Sequence, residues 1–183
     1  YALFLSELCD VLGLAHPDPA DASAHQNDYA FERAVRPRES DGGGAPKRID
    51  LYKRGSFILE AKQSRLPGRK NALPAAAAQG ALFKDEPEQL GRRDQVPRWD
   101  VMMQNARKQA EGYVFLLDAD HPAPPFIITC DVGHCLELYA DFTGTGRAYT
   151  QFPDRKGFRI FLEDLRDEKV RQLLVAIWTD PQS

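Results

Sequence analysis

The chain has 183 residues, of which 43% are hydrophobic and 28% are charged. This composition fits one globular domain with its own core, and it excludes disorder, collagen-like repeats and a long coiled coil. The longest apolar stretches, residues 113–117 and 126–130, are far shorter than the roughly 20 residues of a membrane-spanning helix. The net charge of −3 lacks the basic excess of a self-sufficient nucleic-acid binder, so contact with a polyanion must be local or assisted by a metal ion.

Three cysteines, Cys9, Cys130 and Cys135, are too few for a disulfide framework, and none has the spacing of a zinc site. This favours a reducing, cytoplasmic setting. The chain opens without a methionine in a helical pattern, and it closes on a helix stopped by Pro181. We therefore expect residues 1–183 to be a single domain from the amino-terminal part of a longer chain.

Helix and strand patterns follow one another without internal repeats. Apolar residues at helical spacing predict a first helix that ends at Gly13, and the polar residues 16–27 predict a loop. Strands are expected at residues 29–36, 48–53 and 56–62, with a glycine-rich turn at residues 41–46.

The second half begins with an irregular stretch. Residues 65–98 hold proline, glycine, four consecutive alanines and scattered charges, which predicts a mobile insertion with some helix. Asp100 is expected to cap a helix that runs to about Leu117, and Asp167 to cap a closing helix. Strands are expected at residues 126–130, 135–140 and 158–161. This order predicts an α/β domain with a mixed sheet flanked by helices.

The two strands around Gly55 carry the residues of most chemical interest. Alternation along the second strand sends Glu60 and Lys62 to one face. If the hairpin pairs Asp50 with Glu60, the two carboxylates share that face with Cβ atoms roughly 5 Å apart. That register also pairs residues 53 and 57 across a three-residue turn, whereas a two-residue turn would separate the carboxylates.

Two neighbouring carboxylates suit Mg²⁺, which keeps open positions for water and a phosphate oxygen. Lys62 would orient the water or stabilise the pentavalent phosphate, so the predicted reaction is hydrolysis of a phosphodiester. The alternative is an ordinary salt-bridged hairpin, because acid-x-Lys triplets are common and two others begin at Asp154 and Asp167. Those two lie in a turn and at a helix start, whereas Glu60-Ala61-Lys62 ends an apolar strand.

Further candidates lie outside the hairpin. Gln109 and Tyr113 share a helix face expected to look onto the site; the alternative is a solvated glutamine and a core tyrosine with its hydroxyl in water. Glu32 is favoured over Glu7 as an auxiliary carboxylate, because Glu32 lies on the strand next to the hairpin and on the face opposite its apolar neighbours. For both residues the alternative is a solvated surface acid. His134 is expected to be structural or exposed. Six basic residues are candidates for phosphate contact, with a solvated loop as the alternative: Arg65, Arg69, Lys70, Arg92, Arg93 and Arg98.

Asp50, the nine-residue gap and Glu60-Ala61-Lys62 resemble the PD-(D/E)XK nuclease fold, and Gln109-x-x-x-Tyr113 is similar to a helix in helicase-associated and exonuclease branches of that fold. Outside residues 65–98, the chain resembles more closely the amino-terminal endonuclease domain of single-chain restriction-modification enzymes of the type IIL/IIG class. Five segments carry this resemblance: Arg48 to Gly55, Leu59 to Gln63, Asp131 to His134, Glu137 to Phe142 and Gln151 to Asp154.

The resemblance implies a restriction endonuclease-like core that cleaves double-stranded DNA with Mg²⁺, for which Mn²⁺ would substitute. It implies Asp50, Glu60 and Lys62 as catalytic residues. Because a shared sheet face concentrates negative charge, we expect Asp50 and Glu60 to bind one divalent cation with help from the Ala61 carbonyl. Such enzymes also carry a helical connector, an adenine-specific methyltransferase and a target-recognition domain. The chain has no Asn-Pro-Pro-Tyr motif, so we expect S-adenosylmethionine to bind only in those other domains.

Two other functional classes fit less well. A catalytically silent domain of the same fold, docking or regulating an attached methyltransferase, has no physical need to bring two carboxylates together. A small-molecule-binding α/β domain would need a glycine-rich phosphate loop before a helix, and residues 42–44 precede a strand instead.

Overall fold

The computed structural model describes residues 1–19, 28–37, 44–64 and 95–182. The helices in these ranges are α1 (Ala2–Leu12), α2 (Gln95–Val114) and α3 (Glu168–Thr179), with a 3₁₀ helix at Leu162–Arg166. The strands are β1 (Tyr29–Val35), β2 (Lys47–Lys53), β3 (Phe57–Lys62), β4 (Phe126–Asp131), β5 (Cys135–Ala140), β6 (Thr150–Gln151) and β7 (Arg159–Phe161). None of the described helices is both long and apolar enough to cross a membrane.

The seven strands form one mixed sheet in the order β1-β2-β3-β4-β5-β6, and β7 also pairs with β5. The pairing of β3 with β4 is parallel, and α2 lies between these two strands in the chain. The other pairs are antiparallel. The predicted α/β architecture with a mixed sheet is confirmed. Most of the predicted loop, turn and insertion at residues 16–27, 41–46 and 65–98 lies outside the described residues.

Apolar side chains cover both faces of the sheet, because adjacent residues of a strand point to opposite sides. Phe57 and Leu59 of β3 belong to the core under α1 and α3. Ile58 of the same strand belongs to the core under α2. Glu60 and Lys62 continue the Ile58 side of β3, so the expected site lies between the sheet and α2.

The ends of the helices agree with their predicted signals in two cases. Gly13 ends α1 with a left-handed φ of 67°, and the Asp167 carboxylate accepts a hydrogen bond from the Lys169 N–H at the start of α3. The prediction that Asp100 caps α2 is wrong, because the helix already begins at Gln95. Pro97 falls in its first turn, where a missing N–H removes no helical hydrogen bond.

The expectation that the apolar neighbours of Glu32 share one face of β1 is also wrong. Phe31 packs against the core under α1 and α3, whereas Val35 belongs to the core under α2. Between them, Glu32 adopts a φ of 53°, a backbone conformation that residues other than glycine rarely adopt in a strand. The strand therefore turns over at Glu32, and such local strain is often associated with functional sites.

Candidate functional site

The hairpin of β2 and β3 has the register that the chemistry requires. Residues 54–56 connect the strands, and Gly55 supplies the left-handed turn with a φ of 69°. The paired positions are Lys53 with Phe57, Tyr52 with Ile58 and Leu51 with Leu59. The regular ladder ends there, and the next position on each strand is Asp50 on β2 and Glu60 on β3.

Beyond the pair Leu51 with Leu59, the side chain of Asp50 contacts β3 in place of a backbone pairing. Its Oδ2 accepts a hydrogen bond of 2.7 Å from the backbone N–H of Ala61. Burial raises the pKa of Asp50, while the Ala61 N–H and the charge of Lys62 act in the opposite direction. The carboxylate is thus held against the end of β3, close to Glu60.

Glu60 is the most perturbed acid of the hairpin, with only 2% of its surface exposed. Its Oε1 accepts a hydrogen bond of 2.8 Å from the Lys62 ammonium, and its buried Oε2 has no hydrogen-bond partner among the described residues. Desolvation raises the pKa of Glu60 to about 7, and the charges of Asp50 and Glu32 add to this rise. A buried carboxylate with one unpartnered oxygen is chemically suited to a cation.

Helix α2 brings the predicted Gln109 and Tyr113 onto the same site. The Lys62 ammonium donates to Gln109 Oε1 at 3.1 Å, and Gln109 Nε2 donates to the Tyr113 hydroxyl at 2.6 Å. Tyr113 is buried in the core under α2, and burial raises the pKa of its hydroxyl. A continuous polar chain therefore runs from Glu60 through Lys62 and Gln109 to Tyr113.

The two candidates for an auxiliary carboxylate lie in different places. Glu32 occupies the position across from Asp50, since the pairs Phe31 with Leu51 and Arg33 with Ile49 flank it. Glu7 is exposed on α1, which packs on the other face of the sheet. The preference for Glu32 stays a prediction, because among the described residues its carboxylate does not form a close set of three ligand atoms with Asp50 and Glu60.

A different group of three possible ligands was not anticipated from the sequence. Asp118, Asp120 and His121 bring their ligand atoms within 4.8 Å of one another in the connection between α2 and β4. The buried Arg33 guanidinium already lies 3.2 Å from Asp118 Oδ2 and 3.4 Å from His121 Nε2, and Arg54 donates to the Asp120 carbonyl. Because two guanidinium groups supply positive charge here, we regard the group as structural.

The remaining predicted residues have structural surroundings where they are described. His134 is buried, with its ring edge-on to Trp99 and Phe161. In the two other acid-x-Lys triplets, Asp154 accepts backbone N–H groups of its own turn and Asp167 caps α3. Arg98 is exposed, and the other five basic candidates lie outside the described residues.

Three buried acids escaped the sequence analysis, Asp131, Glu137 and Asp141, and the first two lie at the ends of buried strands or within them. Asp131 at the end of β4 accepts from Ser64 and from the Trp99 indole, and Glu137 on β5 accepts two hydrogen bonds from Arg159. Both are fully enclosed by protein. The available signal was an acid inside or directly after an apolar strand, where a charge is retained only if it is paired.

A mixed α/β sheet that presents an acid and a Glu-x-Lys triplet on adjacent strands defines a restriction endonuclease-like core. Residues 1–183 match the family model described as MmeI, N-terminal domain, and the chain belongs to this family. MmeI is a type IIL restriction-modification enzyme, which agrees with a nuclease role for the domain in general. No curated protein and no solved structure matched the chain.

Proposed function

We propose that this protein is a Mg²⁺-dependent endodeoxyribonuclease domain of a restriction-modification enzyme, with Asp50, Glu60 and Lys62 as its catalytic residues. The observation that carries the proposal is the buried Glu60 carboxylate, half satisfied by Lys62 and adjacent to Asp50. An ordinary surface salt bridge would leave both partners in water and would not raise the pKa of the acid by burial.

The donor set fits a hard divalent ion. Asp50, Glu60 and the Ala61 carbonyl offer only oxygen, as Mg²⁺ prefers, and Glu32 would add a further carboxylate from β1. Glu60 Oε2, which has no hydrogen-bond partner in the part of the chain that the structure describes, is the acid oxygen that most needs a positive neighbour. When bound, Mg²⁺ would supply an activated water and neutralise charge on the phosphate, and we expect Mn²⁺ to substitute.

Lys62, Gln109 and Tyr113 supply the remaining groups. An ammonium has three N–H donors, and Lys62 engages Glu60 and Gln109 with two of them. The third is directed to the attacking water or to a phosphate oxygen. Because the Tyr113 hydroxyl accepts from Gln109, its own proton remains to donate to the phosphate. Gln109 thus holds Lys62 and Tyr113 in one arrangement.

The partner is double-stranded DNA, and its sequence is read by other domains. The net charge of −3 provides little general attraction for a polyanion, so we expect the domain to bind DNA weakly and without sequence preference. We assign target recognition, S-adenosylmethionine binding and methylation to the helical, methyltransferase and recognition domains of the restriction-modification enzyme. Tight, site-selective binding by residues 1–183 alone would contradict this division.

Cleavage of supercoiled plasmid DNA tests the proposal. We expect nicking that requires Mg²⁺ or Mn²⁺ and that falls by at least about 10²-fold in Lys62→Ala, because a charged group that contacts the reacting phosphate is lost. The matched control is Lys156→Ala, which removes the lysine of another acid-x-Lys triplet in an exposed turn. Equal activity of the two variants would refute the role of Lys62.

Metal binding is tested separately from cleavage. Mg²⁺ or Mn²⁺ should raise the thermal stability of the wild-type protein by mass action, and Asp50→Ala should lose most of this shift. Asp154→Ala, at an exposed acid, should keep it. A metal-dependent shift without any cleavage would favour the catalytically silent docking domain, and an unchanged shift in Asp50→Ala would reject the site.

A further inference from the structure

Asp131 is a fully buried carboxylate that the proposed chemistry does not use. It ends β4 and lies beside Lys62 in the parallel pairing of β3 with β4. Its two oxygens accept from the Ser64 N–H at 2.8 Å, the Ser64 hydroxyl at 2.5 Å and the Trp99 indole N–H at 2.7 Å. Three donors from two separate segments therefore converge on one buried charge.

The two segments are those that carry Lys62 and its partner. Ser64 follows Lys62 by two residues, and the Lys62 carbonyl is itself held by the Val132 N–H at 2.8 Å. Trp99 lies on α2, ten residues before Gln109, which places them about 15 Å apart along one continuous helix. Asp131 thus ties the end of β3 to α2.

The Trp99 end of this connection is firmly packed. The indole is buried, and the Arg159 guanidinium lies 4.7 Å from its ring centre. Arg159 is in turn held by two hydrogen bonds to the buried Glu137. Because Trp99 and Gln109 lie on one continuous helix, a shift of Trp99 would be carried to the contact between Gln109 and Lys62.

We propose that Asp131 is a positioning residue of the cleavage site, acting through Trp99 and Ser64 to set the contact between Lys62 and Gln109. The inference rests on the proposed nuclease function. That contact is 3.1 Å long, so a displacement of α2 by about 1 Å would abolish it as a hydrogen bond. Misplacement of a catalytic group on this scale can lower a rate by about 10²-fold.

The test removes the indole N–H by Trp99→Phe, because Asp131→Ala would take the acceptor away from three donors at once, one of them the buried Trp99 indole, and would threaten folding. Trp178→Phe is the matched control: it makes the same change at a buried indole that donates to the Tyr29 hydroxyl on the other side of the sheet. We expect Trp99→Phe to lower kcat by about 10-fold or more with less than about a twofold change in KM for DNA. Trp178→Phe should leave both within about twofold.

Two further measurements separate positioning from a general loss of stability. If Asp131 and Trp99 act through Gln109, adding Trp99→Phe to Gln109→Ala should lower kcat little beyond Gln109→Ala alone. Without metal, the side-chain amide NMR signal of Gln109 should shift in Trp99→Phe and stay unchanged in Trp178→Phe. Additive kcat losses, or an unshifted Gln109 signal, would overturn the positioning role. Absence of metal-dependent cleavage in the wild type would instead overturn the proposed function, and the positioning role with it.

Discussion

Replacing Glu60 by glutamine should make the metal-free protein more stable at alkaline pH. The wild-type carboxylate is buried, and its pKa is raised to about 7 by desolvation and by neighbouring acids. A raised folded-state pKa means that the folded protein holds its proton more tightly than the unfolded chain. Stability is therefore complete below the unfolded pKa and is lost as the pH rises through the folded pKa.

The size of this loss follows from the two pKa values. A rise from an ordinary 4.5 to about 7 corresponds to roughly 3 kcal/mol, at about 1.4 kcal/mol for each pKa unit. Glutamine has a similar shape and cannot ionise, so Glu60→Gln escapes this loss. For a domain of this size, each kcal/mol shifts the melting temperature by about 2–4 °C. The difference in melting temperature between Glu60→Gln and wild type should therefore change by roughly 6–12 °C as the pH rises from the unfolded to the folded pKa of Glu60.

The assay is thermal unfolding of both proteins in a metal chelator, at about pH 5 and about pH 8. Glu60→Gln should gain stability relative to wild type between these two values. Glu7→Gln, at an exposed acid, should show no such gain. Mg²⁺ should reverse the order at alkaline pH, because only the wild type keeps the Glu60 ligand. An equal stability difference at both pH values would refute the account of Glu60.

Two predictions concern the scaffold. Gly146→Ala should destabilise the protein by about 1–3 kcal/mol more than Gly144→Ala in thermal unfolding. Both glycines have a positive φ. An added methyl group at Gly146 would meet side chains at 2.7 and 2.9 Å, whereas one at Gly144 would meet open space. Arg159→Ala should cost about 3–5 kcal/mol, because the buried Glu137 loses its positively charged partner. Glu111→Ala, in a half-exposed i,i+4 pair, should cost less than about 1 kcal/mol. If the two variants of either pair lost similar amounts of stability, the structural role given to Gly146 or to Arg159 would be contradicted.

Local patterns along the chain determined most of the fold. The first helix with its glycine end, the β2–β3 hairpin, the β4–β5 hairpin and the closing helix with its Asp167 cap all follow from periodicity and turn residues, which act over a few neighbours. The two-residue strand β6 was not predicted, because a segment so short carries no period and exists only through its pairing with β5. The early start of α2 at Gln95 escaped for a related reason, since one turn that contains Pro97 is too short to show a helical period.

The candidate site, too, could be predicted from the sequence only in part. Asp50, Glu60 and Lys62 could be named from the sequence, because alternation and an odd-length turn act within one hairpin. The pKa values of these groups could not be predicted from the sequence, since the raised pKa of Glu60 depends on burial under α2, a helix distant from β3 in the sequence. The positive φ of Glu32 was not predicted from the sequence either.

The joining of Ser64 and Trp99 by Asp131 is the clearest case of a feature that only the tertiary structure decided. The sequence determined which side chains are available and which face of its own strand or helix each occupies. Only the assembled sheet and helices determined which of them meet, because contacts between distant segments depend on how whole elements pack. Desolvation, and with it the chemistry of a buried acid, is a property of that packing.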